Sequence, residues 1–358
     1  MKFPHLFFSL SIILILYSCS EDTDCCPQPA NSNAYETGIF VLNEGNFGSG
    51  NSTVSFIDEE NGVQESQIFK SVNSVALGDT GQSIKLYEGL AIIVLNVSNK
   101  IELVNRYTFK SVGSIEANLS NPRYAEVIND KIYVSNWGDG MNASDDYIAV
   151  FDLSDFSFIE KIDVPEGPEA LISANNKLFV AHKGGFTFNN IVSVIDATTN
   201  TLQAQIEVGD APNSMALNEN RLWVLSGGKP SYADTETAGK LSGININTNT
   251  VEEELEFNDV SSHPDHLVKN GGALYYNLGK EIYQYSTGNS ELPEAAVLTV
   301  DEPAVLYGMQ VNNSKLYVSS PNPDFTGNGK LYVYDLTNGI LLKQYTVGVN
   351  PNGVYFNN

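Results

Sequence analysis

One short unit recurs seven times along the chain, an apolar triplet followed by a polar loop: GIFVLN from Gly38, GLAIIVLN from Gly89, KIYVSN from Lys131, KLFVAH from Lys177, RLWVLS from Arg221, ALYYNL from Ala273 and KLYVSS from Lys315. Its aromatic falls at Phe40, Tyr133, Phe179, Trp223, Tyr275 and Tyr317, and the later copies lie 42 to 52 residues apart. A period of that size means a solenoid, a propeller or an array. What lies inside each period chooses among them.

Between Ala211 and Phe257 there are four apolar runs separated by turn residues: Asn213 to Leu217, Arg221 to Leu225, Leu241 to Ile246 and Val251 to Phe257. The second and third runs are apolar at consecutive positions, as in Leu222-Trp223-Val224 and Ile148-Ala149-Val150-Phe151. Such strands need both faces buried, which packing between two neighbouring sheets provides. The fourth run alternates with charge, as in Val251-Glu252-Glu253-Glu254-Leu255, and suits an outer edge that must not pair with other chains. Four strands per period is one propeller blade. The expected fold is therefore all-β, a seven-bladed propeller over residues 35–358, closed when Pro351 to Phe356 joins the first blade and removes the free edges.

Third runs end in Asp or Asn before a turn, at Asp152, Asp196, Asn247 and Asp335. Their side chains can bond the backbone two residues on, so these carboxylates read as structural.

Ahead of the repeats, Lys2 and the apolar stretch over residues 6–16 read as an export signal, residues 1–18, too short for a comfortable membrane span. It ends Leu16-Tyr17-Ser18-Cys19, which resembles a bacterial lipobox, with Cys19 lipidated and a polar, acidic tether over residues 19–34; an ordinary cleavage site is the alternative. All three cysteines, Cys19, Cys25 and Cys26, lie in this leader, so the fold calls for no disulfide. Loss of residues 1–18 takes the net charge from −24 to −25, a field that repels nucleic acid and anionic lipid heads.

In a propeller the loops from second to third strand, and from fourth strand to the next blade, emerge on one face, where function usually resides. The candidate ligand-contacting residues on that face are Asn46, Phe47, Tyr124, Asn136, Trp137, His182, Lys183, Phe186, Lys229, Tyr232, His266, Asn277, Lys280, Tyr307 and Asn322. Loops that merely turn a corner have no use for Phe47, Trp137, Phe186, Tyr232 and Phe325, each costly to expose. Either they meet a ligand or they plug the channel mouth. Catalytic constellations are thin. His263 and His266 with Asp265 have metal-ligand chemistry, but a turn around Pro264 does not aim them together, and the Asp139 to Asp146 loop lacks EF-hand spacing. No metal, cofactor or catalytic residue is expected.

The run VSVIDATTNTLQAQIEVGDAPNSMAL, Val192 to Leu217, resembles the repeat of the YVTN or YncE-like seven-bladed propellers, and weaker copies cover Gly38 to Phe356. The opening GIFVLNEGNFGSGNSTVSFID, with the lipobox and the acidic Ser20-Glu21-Asp22-Thr23-Asp24, resembles the BtuG-type surface lipoproteins of Bacteroidota. That resemblance implies an outer-membrane, surface-exposed, lipid-anchored binder that captures a corrinoid such as vitamin B12 for a TonB-dependent transporter. Two other functions stay open: an enzyme of the lactonase or quinoprotein-dehydrogenase kind, with a metal or general base in the channel mouth, and an adhesive scaffold for protein or glycan.

Overall fold

The computed structural model describes residues 34–358; the signal, the lipidation at Cys19 and the tether all fall on residues outside or at the margin of that range. Seven four-stranded antiparallel sheets are arranged as blades. In the fifth, the strands are Pro212–Asn218, Arg221–Ser226, Lys240–Asn245 and Thr250–Glu256, from the axis outward. The first blade is completed by the last strand, Pro351–Asn357, which pairs with Gly38–Asn43 from Gly38↔Asn357 to Asn43↔Pro351.

Doubly apolar strands do serve two interfaces. Leu222 and Val224 join the core shared with the fourth blade, whereas Trp223 and Leu225 join the core shared with the sixth. Alternation in the pleat sends successive side chains to opposite faces, so a strand sandwiched between sheets needs no polar side. The repeat aromatics Phe40, Tyr133, Phe179 and Trp223 are all fully buried.

Asp152, Asp196 and Asp335 accept the N–H of Ser154, Thr198 and Thr337 respectively, each two residues on, and so close the outer hairpins. In the fifth blade the turn residue is Asn245, which takes the N–H groups of Asn247 and Thr248; the strand stops there and not at Ile246. Ile246 is buried in the turn itself, which is why its apolar side chain reads as a continuation of the strand.

Two blades depart from four full strands. The outermost strand of the first is only Val63–Glu65, followed by a short helix, Ile68–Asn73, that buries Ile68 and Phe69 where the rest of the strand would pack. In the sixth, the outermost strand is Leu298–Thr299. Among the described residues no helix is long and apolar enough to cross a membrane.

Candidate functional site

Long second-to-third loops rise from five blades, at residues 44–52, 137–146, 183–190, 227–239 and 321–327, and short turns close the other two at 96–99 and 279–280. At their tips Phe47, Phe186 and Tyr232 are 84, 75 and 84 % exposed, with Met141 equally open at 84 %. These side chains plug nothing. Trp137 is different: it is half-buried, and the Arg123 guanidinium lies 4.1 Å over its ring. Neighbouring loops touch laterally, as where Asn46 Nδ2 donates to the Phe325 carbonyl at 3.2 Å and Phe188 meets Tyr232 at 6.3 Å.

Inside this rim, a cavity of about 570 Å³ opens on the propeller axis. Its wall takes one residue from the start of almost every innermost strand: Gln82, Arg123, Glu169, Asn213, Asp265 and Asn352. Each follows a proline or glycine, in Gly81-Gln82, Pro122-Arg123, Pro168-Glu169, Pro212-Asn213, Pro264-Asp265 and Pro351-Asn352. Proline is admissible at the first residue of a strand because its missing N–H breaks no ladder bond there. The pairing register shifts just beyond it in the second to fifth blades, and the bulge re-aims the side chain toward the axis.

Arg123 and Glu169 form a bidentate pair across two blades, with Nε to Oε2 at 3.0 Å and Nη2 to Oε1 at 2.9 Å. Planar pairing of this kind fixes both side chains, and Trp137 holds the outer face of the guanidinium. Opposite, Glu44 accepts the Tyr307 hydroxyl and Asn352 Nδ2, both at 3.0 Å. Burial raises the Glu44 pKa, against those two hydrogen bonds and the nearby Arg123, which favour its charge. Burial likewise pushes the Tyr355 hydroxyl up to about 12.

The candidate residues fall into three groups. Tyr124, Lys183, His266 and Tyr307 line the cavity. Phe47, Phe186 and Tyr232 stand clear of it on the rim, where Lys229 pairs with Asp210 at 3.3 Å, Lys280 Nζ donates to the Asp301 carbonyl and Asn322 accepts from Asp324 N–H. Asn136, His182 and Asn277 are buried at the ends of second strands and hold loops, which corrects their reading as ligand contacts. Asn136 takes Ser120 N–H, and Asn277 bonds His266 Nδ1 and the Gly279 carbonyl. His263 turns away to Gly227 and Glu236, so the two histidines do not share a partner. Gln82, Glu169 and Asn352 lie outside the candidate set, and the proline- or glycine-led start of each inner strand is the signal that finds them; Glu44, also outside it, comes from the first loop, which the sequence already places on this face.

His182 and Asp146 grip one loop with opposite pH dependence. His182 Nδ1 lies 3.2 Å from the Glu166 carbonyl and Nε2 2.8 Å from Ser193 Oγ, while Asp146 accepts Gly167 N–H. Burial lowers the His182 pKa to about 4 and raises that of Asp146 to about 7. The folded state therefore resists protonating His182, and stability from it is lost as pH falls from about 6.5 toward 4. Asp146 is the reverse, since the folded state holds its proton, and stability rises as pH falls from 7 toward 4. Urea titrations at pH 7 and pH 5 on the wild type and on each variant isolate the two contributions as differences in pH slope. Relative to the wild type, Asp146→Asn should lose stability on acidification and His182→Gln should gain it. Variants with unchanged pH slopes would show that neither group titrates in this range.

The fold is a closed seven-bladed β-propeller with a polar mouth under an apolar rim. The chain belongs to the family described as a domain of unknown function, DUF5074, which it matches over residues 37–357. No curated protein matches it. Among solved structures it is similar to a functionally unknown protein from Desulfotomaculum acetoxidans, at 12 % identity and a TM-score of 0.64, over 89 % of this chain and 98 % of that one. It is similar to the dihydro-heme d1 dehydrogenase NirN at 14 % identity and 0.59, over 93 and 78 % of the two chains. For BamB from Moraxella catarrhalis the values are 13 %, 0.52, 89 and 88 %. At these identities the likeness is one of fold.

Proposed function

We propose that this protein is a non-enzymatic binder that captures a bulky amphipathic ligand on its loop face. The observation that carries the reading is the pairing of exposed aromatic tips, Phe47, Phe186 and Tyr232, with a polar cavity of about 570 Å³ at the centre of the same face. Large apolar side chains at 75 to 84 % exposure on separate loops mark a surface that something covers. Amide and charged groups in the mouth suit a ligand with a polar periphery, and a corrinoid has that character.

Where the described chain begins also favours this reading. Tyr35 N–H bonds the Tyr107 carbonyl, on an outer hairpin of the second blade, so the chain enters from the face opposite the loops. With a lipid on Cys19, a tether of this length spans up to about 50 Å and the loop face looks away from the membrane, toward incoming ligand. A TonB-dependent transporter is the partner that the lipoprotein resemblance supplies.

Thermal shift of the intact protein with cobalamin, cobinamide, haem and oligosaccharides tests the proposal. A ligand at 100 times its Kd should stabilise by about 2.7 kcal/mol. A cobalamin shift that vanishes in Phe47→Ala/Phe186→Ala/Tyr232→Ala supports it. No shift with any of these ligands, or one indifferent to the triple variant, overturns it.

A further inference from the structure

Three histidines lie among the described residues, and in two of them both ring nitrogens are committed to the protein. His182 meets the Glu166 carbonyl and Ser193 Oγ, and His263 meets the Gly227 carbonyl and Glu236. His266 is different. It lines the axial mouth with its side chain 24 % exposed, and only its Nδ1 has a hydrogen-bond partner, Asn277 Oδ1 at 3.0 Å. The backbone holds its aim: His266 has φ 56°, a left-handed conformation uncommon outside glycine, within the irregular start of Asp265–Asn270.

The orientation of Asn277 decides which nitrogen of His266 carries the proton. Asn277 Nδ2 donates to the Gly279 carbonyl at 2.9 Å, and a carbonyl only accepts, so Oδ1 is the atom that faces the ring. Nδ1 is then the donor, and the neutral imidazole carries its lone pair on Nε2. Nε2 lies on the side of the ring away from Asn277, has no partner among the described residues and is not sealed off, so it opens on the cavity. An imidazole anchored through Nδ1–H with Nε2 open is the arrangement of a metal-binding histidine.

A bare ion needs further donors, and among the described residues no cluster of three or more His, Cys, Asp or Glu is placed to hold one. A metal that arrives with four equatorial nitrogens of its own needs only an axial donor. The wall sets Glu44, Glu169 and Asp265 against Arg123 and Lys183, a balance with no excess positive charge to repel a metal cation. Exposed aromatics on the rim suit the flat face of a macrocycle. We infer that the loop face takes a metal chelated in a planar nitrogen macrocycle, and that His266 Nε2 is its axial ligand. The inference rests on the capture of a bulky ligand at this face and adds the bond that orients it. The Nε2 lone pair forms the metal–nitrogen bond, a metal-bound water leaves that position, and the oxidation state of the metal is unchanged.

Visible-absorption titration of the intact protein with diaquacobinamide tests this, with dicyanocobinamide, whose two axial positions are blocked, as comparator. The diaquacobinamide bands should shift as nitrogen replaces water, and this form should bind at least about 10-fold more tightly than the dicyano form. His266→Asn removes the imidazole and keeps a residue that tolerates the left-handed backbone. It should abolish the band shift and reduce the preference to about 2-fold or less, with melting unchanged. A thermal shift with diaquacobinamide but no band shift, a band shift that survives in His266→Asn, or equal affinity for the two cobinamides refutes axial ligation and leaves capture standing. Failure of both diaquacobinamide and ferric haem to bind also refutes it, and the capture reading falls with it only if cobalamin and oligosaccharides fail as well.

Discussion

Deleting residues 350–358 is expected to remove most of the folding free energy, because that segment closes the ring. Pro351–Asn357 supplies the innermost ladder of the first blade. Val354 is buried, and Phe356 packs edge-on against Tyr317 of blade seven at 5.0 Å. The Tyr355 hydroxyl accepts Ile84 N–H of blade two, and Asn352 Nδ2 donates to Glu44 and the Gly81 carbonyl. One short strand thus binds blades one, two and seven together. Without it, Gly38–Asn43 faces the axis with an unpaired edge, a template for aggregation. Loss of the ladder and its apolar contacts should cost about 5 kcal/mol or more, comparable with the whole stability of many domains. Urea denaturation and size exclusion should find the truncated chain unfolded or aggregated. A soluble monomer with an unchanged midpoint would contradict closure by this strand.

Most of this architecture is legible in the sequence because it follows from local rules. Consecutive apolar residues at Leu222-Trp223-Val224 admit a strand between two sheets and little else, and a last strand left without a blade has one place to go. The helix at Ile68–Asn73 is not legible, since Ile68-Phe69 reads equally as a truncated strand and only the tertiary gap beside Val63–Glu65 decides it. The loop face was harder for a different reason. Asn136 and His182 occupy loop starts where a ligand contact and a loop anchor call for the same polar side chain. Whether such a residue faces out or in depends on the strand's last half-turn. The mouth residues Glu169 and Asn352 look like ordinary exposed polar positions until the seven inner strands are aligned on their leading proline or glycine.

Trp223→Ala and Trp137→Ala are expected to separate folding from binding. Trp223 is fully buried between blades five and six, edge-on to Tyr285 at 5.3 Å, and its replacement leaves a cavity that strands on both sides cannot collapse. That substitution should cost about 3 to 5 kcal/mol of folding free energy. Trp137 sits on a loop, half-exposed, with Arg123 stacked at 4.1 Å and Arg123 in turn clamped to Glu169. Removing the ring takes away the cation–π contact, worth about 1 kcal/mol, but leaves the bidentate pair in place. Stability should therefore fall by only about 1 to 2 kcal/mol, well short of the Trp223 variant. Affinity should behave oppositely: with the guanidinium no longer capped and a stacking surface gone from the cavity rim, ligand binding should weaken by about 1 to 3 kcal/mol. Melting and ligand titration on the two proteins decide the matter. If Trp137→Ala melts as low as Trp223→Ala and binds as tightly as the wild type, Trp137 braces the propeller mouth and the ligand engages the face elsewhere.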